Sequence, residues 1–114
     1  MAPILRLTRR AEFLKVASGR RKSVAPGLIL QALPQQPDAA LRVGFTASRK
    51  VGNAVARNRA RRRLRAAAAQ ILASHAAAGH DYVVIARHET LKRPYAELLA
   101  DLAAGLKRLG VYRE

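Results

Sequence analysis

A long helical pattern in the middle of the chain constrains the fold more than any other feature. It begins at Asn53, a residue suited to cap a helix, and runs to about Ala78, where Gly79 suits the left-handed position after the last turn. At about 100° per residue, the side chains that fall within one narrow arc are apolar. This predicted buried arc contains Ala56, Ala60, Leu64, Ala67 and Ile71. Such a helix should lie along a hydrophobic surface.

Strand patterns lie on both sides of this helix. Residues 23–33 are apolar and interrupted by Pro26-Gly27, which predicts one bent strand or two short ones. Residues 41–47 alternate between apolar and polar and predict a half-buried strand, which should pair antiparallel with the preceding strand. Residues 82–86 predict a buried strand. A strand, a long helix and a strand normally form a parallel pair whose helix crosses one face of the sheet.

Two further helices complete the predicted fold. Thr8 is suited to cap a short helix that ends near Ser18, and Pro94 begins a helix that ends near Leu109. The second carries a leucine stripe made of Leu98, Leu99, Leu102, Leu106 and Leu109. With 114 residues, the chain has the size of one domain. We therefore predict an α+β fold over residues 1–114, a single-domain α/β sandwich whose small mixed sheet is packed by the long arginine-rich helix.

The long helix is unusually basic in its first half. The segment 49–65 reads RKVGNAVARNRARRRLR, and no Asp or Glu occurs anywhere between Ala39 and His80. The arc opposite the buried one collects Asn58, Arg61, Arg62 and Arg65, with Arg59 and Arg63 to one side and Arg57 to the other. These cations repel one another and lie near the helix N-terminus, where the macrodipole favours anions. A phosphate backbone would offset both effects, and the guanidinium fork can grip phosphate with two hydrogen bonds.

The charge of the whole chain points to the same kind of partner. It has 22 Lys and Arg against 7 Asp and Glu, a net charge of +15. Nucleic acid is therefore the first partner to consider, with binding that weakens steeply as salt rises. A membrane surface is also anionic, but no stretch approaches the roughly 20 apolar residues of a spanning helix. Residues 1–10 lack a secretion signal, so we expect a cytoplasmic protein without a membrane partner.

No group of residues predicts a protein active site or a protein metal site. The chain has no cysteine, and its three histidines match no metal-ligand spacing. The acids are scattered, and the close pair Glu97 and Asp101 should lie on the outside of the last helix. Two alternatives to an RNA-processing role stay open: a structural ribosomal or nucleoid protein, and, ranked last, a protein nuclease whose Glu12 or Asp81 holds a metal.

The segment 42–65, RVGFTASRKVGNAVARNRARRRLR, resembles the signature of the bacterial ribonuclease P protein subunit. The likeness rests on the turn KVGNAV at 50–55 and the core Arg-Asn-Arg at 57–59, and it extends to the first helix, the strand DYVVIAR at 81–87 and the closing helix. The resemblance implies that the strands at 41–47 and 82–86 are joined by a left-handed crossover, whereas general rules would predict a right-handed one.

The same resemblance implies a function in RNA processing. The protein would be the accessory subunit of an endoribonuclease, bound as one copy to the catalytic ribonuclease P RNA, and it would help remove the 5′ leader of precursor tRNA. The RNA would perform the hydrolysis with Mg²⁺ that it holds itself. The residues implied to dock on the RNA are Lys50, Asn53, Arg57, Asn58, Arg59, Arg61, Arg62 and Arg65.

A second implied surface is a cleft between the first helix and the open sheet face, which would hold the single-stranded leader. Its implied residues are Phe13, Val16, Thr46, Ser48, Lys50 and Arg87. Family members commonly carry additional aromatics where this chain has Ala17 and Gln31, so it offers fewer stacking platforms. From the residues alone, Phe13 and Val16 could equally be core residues, and Thr46 and Ser48 plain strand polars.

Overall fold

Three helices and a five-stranded mixed sheet make up residues 4–114, the part of the chain that the computed structural model describes. The strands are β1 (Leu5–Arg6), β2 (Lys22–Val24), β3 (Leu28–Pro34), β4 (Arg42–Thr46) and β5 (His80–Ala86). The helices are α1 (Arg10–Ser18), α2 (Ala54–His75) and α3 (Tyr95–Arg108), and short 3₁₀ helices at Arg49–Val51 and His88–Leu91 follow β4 and β5. The predicted α+β class, with a small mixed sheet packed by a long central helix, is confirmed. None of the described helices is long and apolar enough to cross a membrane.

The sheet has the order β1-β4-β5-β3-β2. β4 is parallel to β5, as the strand-helix-strand pattern predicts. Pro26-Gly27 separates two strands, the second of the two predicted alternatives, and these strands, β2 and β3, pair as a hairpin. The predicted antiparallel pairing of 41–47 with the preceding strand is wrong, because β5 lies between β3 and β4 and pairs with both. The physical reason is that β5 has buried side chains on both faces, Tyr82 and Val84 on one and Val83 on the other, which favours a central position.

The main core lies between one sheet face and helices α2 and α3. The sheet supplies Leu28, Leu30, Val43, Phe45, Tyr82 and Val84. The predicted arc of α2 is confirmed at Ala60, Leu64 and Ala67, which are fully buried, whereas Ala56 and Ile71 are half-buried. Ala68 and Leu72 are buried as well, so the packed surface of α2 is wider toward its C-terminus than predicted.

Helix α1 covers only part of the opposite sheet face. Leu7, Val16 and Val83 form a small second core there, and Phe13 packs against it. Beside this core, one row of neighbouring side chains crosses the sheet without being fully buried. We call this row the open strip; it consists of Val24, Ile29, Ile85 and Thr46, which are paired in that order across β2, β3, β5 and β4.

The ends of α1 and α2 agree only in part with the caps predicted from the sequence. Asn53 caps α2 as predicted, since its side chain accepts a hydrogen bond from the backbone amide of Ala56 at 2.9 Å. The helix ends at His75 and not near Ala78, and Gly79 adopts φ +70° just before β5. Thr8 is not the cap of α1. Arg9 occupies that position, and the Glu12 carboxylate reaches back to accept from the amides of both residues. The predictions for residues 1–3, part of the domain 1–114, lie outside the described residues.

Candidate nucleic-acid interface

The outer side of α2 presents a row of cationic and amide side chains to solvent. We call this row the arginine face; its residues are Asn58, Arg59, Arg61, Arg62 and Arg65. All are exposed except Arg61, which is half-buried and donates to the Asn58 side chain at 3.4 Å. No arginine of α2 forms an ion pair with an acid among residues 4–114. The charge of this face is therefore left for a partner.

The turn before α2 fixes the start of this face. Val51 is buried in the main core, and the following Gly52 has φ +146°, a backbone conformation that L side chains rarely adopt. Asn53 then caps the helix, and Arg57 donates to the carbonyl oxygen of Gly52 at 3.2 Å. Lys50 and Asn53 are both exposed. The motif that carries the family resemblance is thus first a rigid structural turn that orients polar side chains toward solvent.

A first shallow depression lies at the end of the open strip near α1. It has a volume of about 400 Å³ and is lined by Thr8, Arg10, Phe13, Phe45, Thr46, Ala47 and Arg61. Phe13 is half-buried because its ring lies against Gly44, where a Cβ atom would overlap it. Since Arg61 belongs to α2 and Phe13 to α1, the depression joins the arginine face to the open sheet face.

A second depression lies at the other side of the strip. It has a volume of about 380 Å³ and is lined by Ile29, Ser48, Lys50, Val51, Ile85, Ala86, Arg87 and His88. Arg87 is half-buried, and its guanidinium donates to the carbonyl oxygen of Ala25 at 2.6 Å. Ile85 links the two depressions, because it is the register partner of Thr46 and lines the second one itself.

The structure therefore brings together most of the residues implied for the leader. Phe13 and Thr46 line the first depression, and Ser48, Lys50 and Arg87 line the second. Val16 differs, because it is only 1% exposed and packs in the small core under α1. Its position fits the alternative core role and leaves it no surface for a ligand.

The acids that could have formed a protein active site are paired with arginines. Arg42 lies between α1 and β5, with its guanidinium 2.7 Å from Glu12 and 2.6 Å from Asp81. Asp81 is buried and also accepts from Gln35 at 3.0 Å. Hydrogen bonds from the amides of Arg9 and Thr8, together with Arg42, lower the pKa of Glu12. Both carboxylates thus fasten the first helix to the sheet.

The prediction that Asp101 lies on the outside of the last helix is wrong. Asp101 is buried and accepts from the backbone amide of Gly27 at 3.0 Å and from the Arg93 guanidinium at 3.0 and 3.1 Å. Glu97 is exposed, as expected. The reason is that α3 packs over the hairpin of β2 and β3, where the Gly27 amide needs an acceptor. Among residues 4–114, no group of three or more His, Asp or Glu side chains could hold a metal ion.

Arg63 is the cation of α2 whose structural role the sequence analysis did not predict. It is half-buried, and its guanidinium donates to the carbonyl oxygens of Thr90, Leu91 and Arg93, the last two at 3.1 and 2.6 Å. The sequence contains one signal for this: Arg63 falls to one side of the outer arc, nearer the buried residues. One cation of the helix is thus used inside the fold.

Comparisons with known proteins give one consistent result. The sequence model of the family described as Ribonuclease P matches residues 1–110. The ribonuclease P protein component of Paramagnetospirillum magneticum is 62% identical over 114 residues, covering 96% of this chain and 85% of that protein. That of Gluconacetobacter diazotrophicus is 50% identical, covering 93% and 91%.

Solved structures agree with the fold. The RNase P protein of Staphylococcus aureus matches with a TM-score of 0.78 at 25% identity, covering 95% of this chain and 97% of that one. The RNase P protein of Thermotoga maritima matches with a TM-score of 0.72 at 23% identity, covering 91% and 94%, a likeness that concerns the fold alone.

Proposed function

Because the chain belongs to the ribonuclease P protein family, we propose that it binds the catalytic RNA of ribonuclease P and the 5′ leader of precursor tRNA. It is the protein component of an endoribonuclease complex and assists removal of the leader. The observation that carries the RNA-binding proposal is the arginine face, whose exposed guanidiniums have no acidic partner among the described residues. Bound phosphates would relieve the repulsion among these cations and would suit the positive end of the helix dipole.

Docking on the RNA would use the arginine face together with the turn before it. Lys50, Asn53 and Arg57 lie at the N-terminal end of α2, so they extend the row of the arginine face by about one turn. Arginines grip phosphate or stack on bases, and asparagines hydrogen-bond to base edges or sugars. One copy of the protein would occupy one RNA, in the cytoplasm.

The leader would follow the open strip between the two depressions. Phe13 offers an aromatic edge in the first depression, and Ile29 and Ile85 offer aliphatic surface on which bases can lie. Lys50 and Arg87 would contact the phosphates beside the second depression. A basic rim around a mainly apolar floor suits single strands with little sequence preference.

Hydrolysis would be performed by the RNA, with Mg²⁺ that the RNA holds. Residues 4–114 do not fit a magnesium site, because each pair of neighbouring carboxylates shares an arginine guanidinium: Glu12 and Asp81 share that of Arg42, and Glu97 and Asp101 share that of Arg93. Mg²⁺ is bound by a near-octahedral set of oxygen ligands, several of them water molecules. A guanidinium that lies between two carboxylates already occupies the place of the metal ion with a positive charge. The protein would act by adding affinity for the precursor.

Reconstitution of the complex tests whether the RNA performs the hydrolysis and the protein adds affinity for the precursor. Purified protein should restore cleavage of precursor tRNA by ribonuclease P RNA at low Mg²⁺, where the RNA alone is slow. The protein without RNA should not cleave, and Asp81→Asn, in a folded protein, should not remove cleavage from the complex. A protein that binds RNA without stimulating cleavage would favour the structural alternative. Cleavage by the protein alone, lost in Glu12→Gln or Asp81→Asn, would establish the nuclease alternative.

A further inference from the structure

Arg63 is one of the six arginines of α2 but does not share the environment of the others. Its guanidinium bonds to three backbone carbonyl oxygens, those of Thr90, Leu91 and Arg93. Its neighbour Arg62 is exposed, and the Arg62 side chain makes no hydrogen bond or ion pair to the rest of residues 4–114. Of these two adjacent arginines, Arg63 therefore contacts backbone carbonyl groups, whereas Arg62 contacts solvent.

The carbonyl cluster explains why an arginine is needed at this position. The 3₁₀ helix His88–Leu91 ends there, so its last carbonyls lack helical partners, and Pro94 follows without an amide hydrogen to offer. Carbonyl oxygens that converge repel one another unless a donor lies between them. A guanidinium supplies several donors in a fixed plane and a positive charge, whereas a lysine offers one compact ammonium.

A short chain of hydrogen bonds leads from Arg63 to the second depression. Thr90 is fully buried, and its carbonyl oxygen accepts a hydrogen bond from the Arg63 guanidinium. The Thr90 hydroxyl donates to the carbonyl oxygen of Gly27 at 2.7 Å and accepts from the backbone amide of Arg87 at 2.8 Å. The segment 88–91 also packs against the 3₁₀ helix that carries Lys50. Arg63 therefore holds the turn on which two cations of the second depression depend.

We propose that Arg63 is a positioning residue that couples the arginine face to the leader cleft: it fixes the turn at 88–91, and with it Arg87, against α2, and does not itself contact RNA. This inference rests on the proposed function, since it takes α2 to dock on the RNA and the second depression to receive the leader. It divides the arginines of one helix into those that bind RNA and one that sets the geometry of a different surface.

The test compares Arg63→Met with Arg62→Met in the reconstituted complex. Arg63→Met should leave the salt dependence of RNA affinity unchanged, because no phosphate contact is lost. It should lower the preference of the complex for leader-bearing precursor over mature tRNA by roughly three- to tenfold, within the range of coupling through packed networks. Arg62→Met should do the reverse, flattening the salt dependence by about one slope unit and sparing the preference for precursor.

Arg63→Lys separates charge from geometry. It keeps the cation but loses the fork, so its preference for precursor should lie between that of the wild type and that of Arg63→Met. If Arg63→Met does not fold at the assay temperature, Arg63→Lys carries the test alone, again with an unchanged salt slope and a reduced preference. Thermal unfolding of each free protein establishes which variants are folded.

The outcomes distinguish this proposal from the function on which it rests. A wild-type complex with no preference for precursor would refute leader binding itself. A wild-type preference that Arg63→Met or Arg63→Lys retains in full would overturn the positioning role and leave a structural arginine that lowers only the melting temperature. A flattened salt slope in Arg63→Met would show that Arg63 contacts RNA after all.

Discussion

Phe13 shows how one side chain serves both packing and the proposed leader cleft. Its ring lies on the backbone of Gly44, packs beside the small core under α1, and lines the first depression. Phe13→Ala should weaken binding of precursor more than binding of mature tRNA, since it removes an aromatic surface worth about 1–3 kcal/mol per stacked base. Titration of the reconstituted complex with both tRNAs measures this.

Leu14 provides the control for Phe13. It is the next residue of α1 and is 55% exposed, away from the depression. Leu14→Ala should leave both affinities unchanged. Equal losses for precursor and mature tRNA in Phe13→Ala would assign Phe13 to the core and remove it from the cleft.

Glu12 makes the attachment of α1 sensitive to acid. Its pKa is lowered by the amides of Arg9 and Thr8 and by Arg42, so its stabilising effect is fully present above its ordinary pKa of 4.5. The effect is lost as pH falls through the lowered pKa. The melting temperature of the wild type should exceed that of Glu12→Gln at neutral pH, and the difference should shrink below about pH 4.5.

Melting curves at a series of pH values measure this difference. Glu89→Gln, at an exposed position, serves as the control and should track the wild type throughout. A difference that stays constant from neutral pH into the acid range would show that the Glu12 charge does not hold α1 in place.

For single residues, the sequence predicts which chemical groups a side chain offers better than it predicts which groups that side chain contacts in the fold. Arg62 and Arg63 are chemically identical and about 100° apart on the helix, so the pattern places Arg62 on the outer arc and Arg63 to one side of it, without showing what Arg63 contacts. Only the position of the carbonyls of 90–93 decides that Arg63 turns toward the fold, and that position depends on tertiary structure. Asp101 is similar, because the Gly27 amide that it binds lies 74 residues away along the chain.

Helix α2 is the element whose role depends most on charge. Arg62→Ala combined with Arg65→Ala removes two exposed cations of the arginine face and should not disturb the buried side of the helix. The affinity for ribonuclease P RNA should fall, and its salt dependence should flatten by roughly one slope unit per lost phosphate contact. Binding measured over a range of salt concentrations gives the slope.

A control with the same charge change uses two exposed arginines outside α2. Arg108 and Arg113 are exposed, and Arg113 lies beside His75 at the last turn of α2, about 20 Å from Arg62 by helical rise. Arg108→Ala combined with Arg113→Ala should lower the slope much less. Equal effects of the two double variants would mean that net charge alone, and no particular face, governs binding.

Helix α3 is attached to the hairpin of β2 and β3 through the buried Asp101, which accepts from the Gly27 amide and from the half-buried Arg93 guanidinium. Asp101→Ala should lower the free energy of unfolding by about 3 kcal/mol, because it strands the Arg93 guanidinium and the Gly27 amide without their acceptor. Glu97→Ala removes the other partner of Arg93, which is more exposed and 3.6 Å away, and should cost less than about 1 kcal/mol. Urea denaturation of both variants checks the contrast, and similar losses would contradict it.

The elements were predictable where a pattern is long and local. The helices and four of the strands follow from periodicity, caps and the Pro26-Gly27 break. β1 was missed because two residues show no period, and it exists only through its parallel pairing with β4. Strand order was missed because the loop between β3 and β4 is short enough for a hairpin, and only the burial of β5 on both faces overrides it. The left-handed crossover stays a prediction.

The whole molecule carries a net charge of +15, and this gives salt two opposite effects. Between about 0.1 M and 1 M salt the Debye length falls from about 10 Å to 3 Å. Screening should raise the melting temperature of the free protein by weakening its self-repulsion, and over the same range it should weaken RNA binding. Melting curves and binding titrations in one salt series check this, and a melting temperature that falls with salt would contradict it.

The central position of β5 has a consequence for synthesis. β3 and β4 are made first and have no ladder with each other, and the strand that joins them, His80–Ala86, emerges from the ribosome only after all of α2. In a nascent chain that stops before residue 80, β3 and β4 therefore lack the strand that lies between them. Helix α2 lacks the central strand of the sheet on which it packs. Folding to the native sheet must therefore wait until β5 has been made, and folding intermediates of the nascent chain are those in which β5 is still missing.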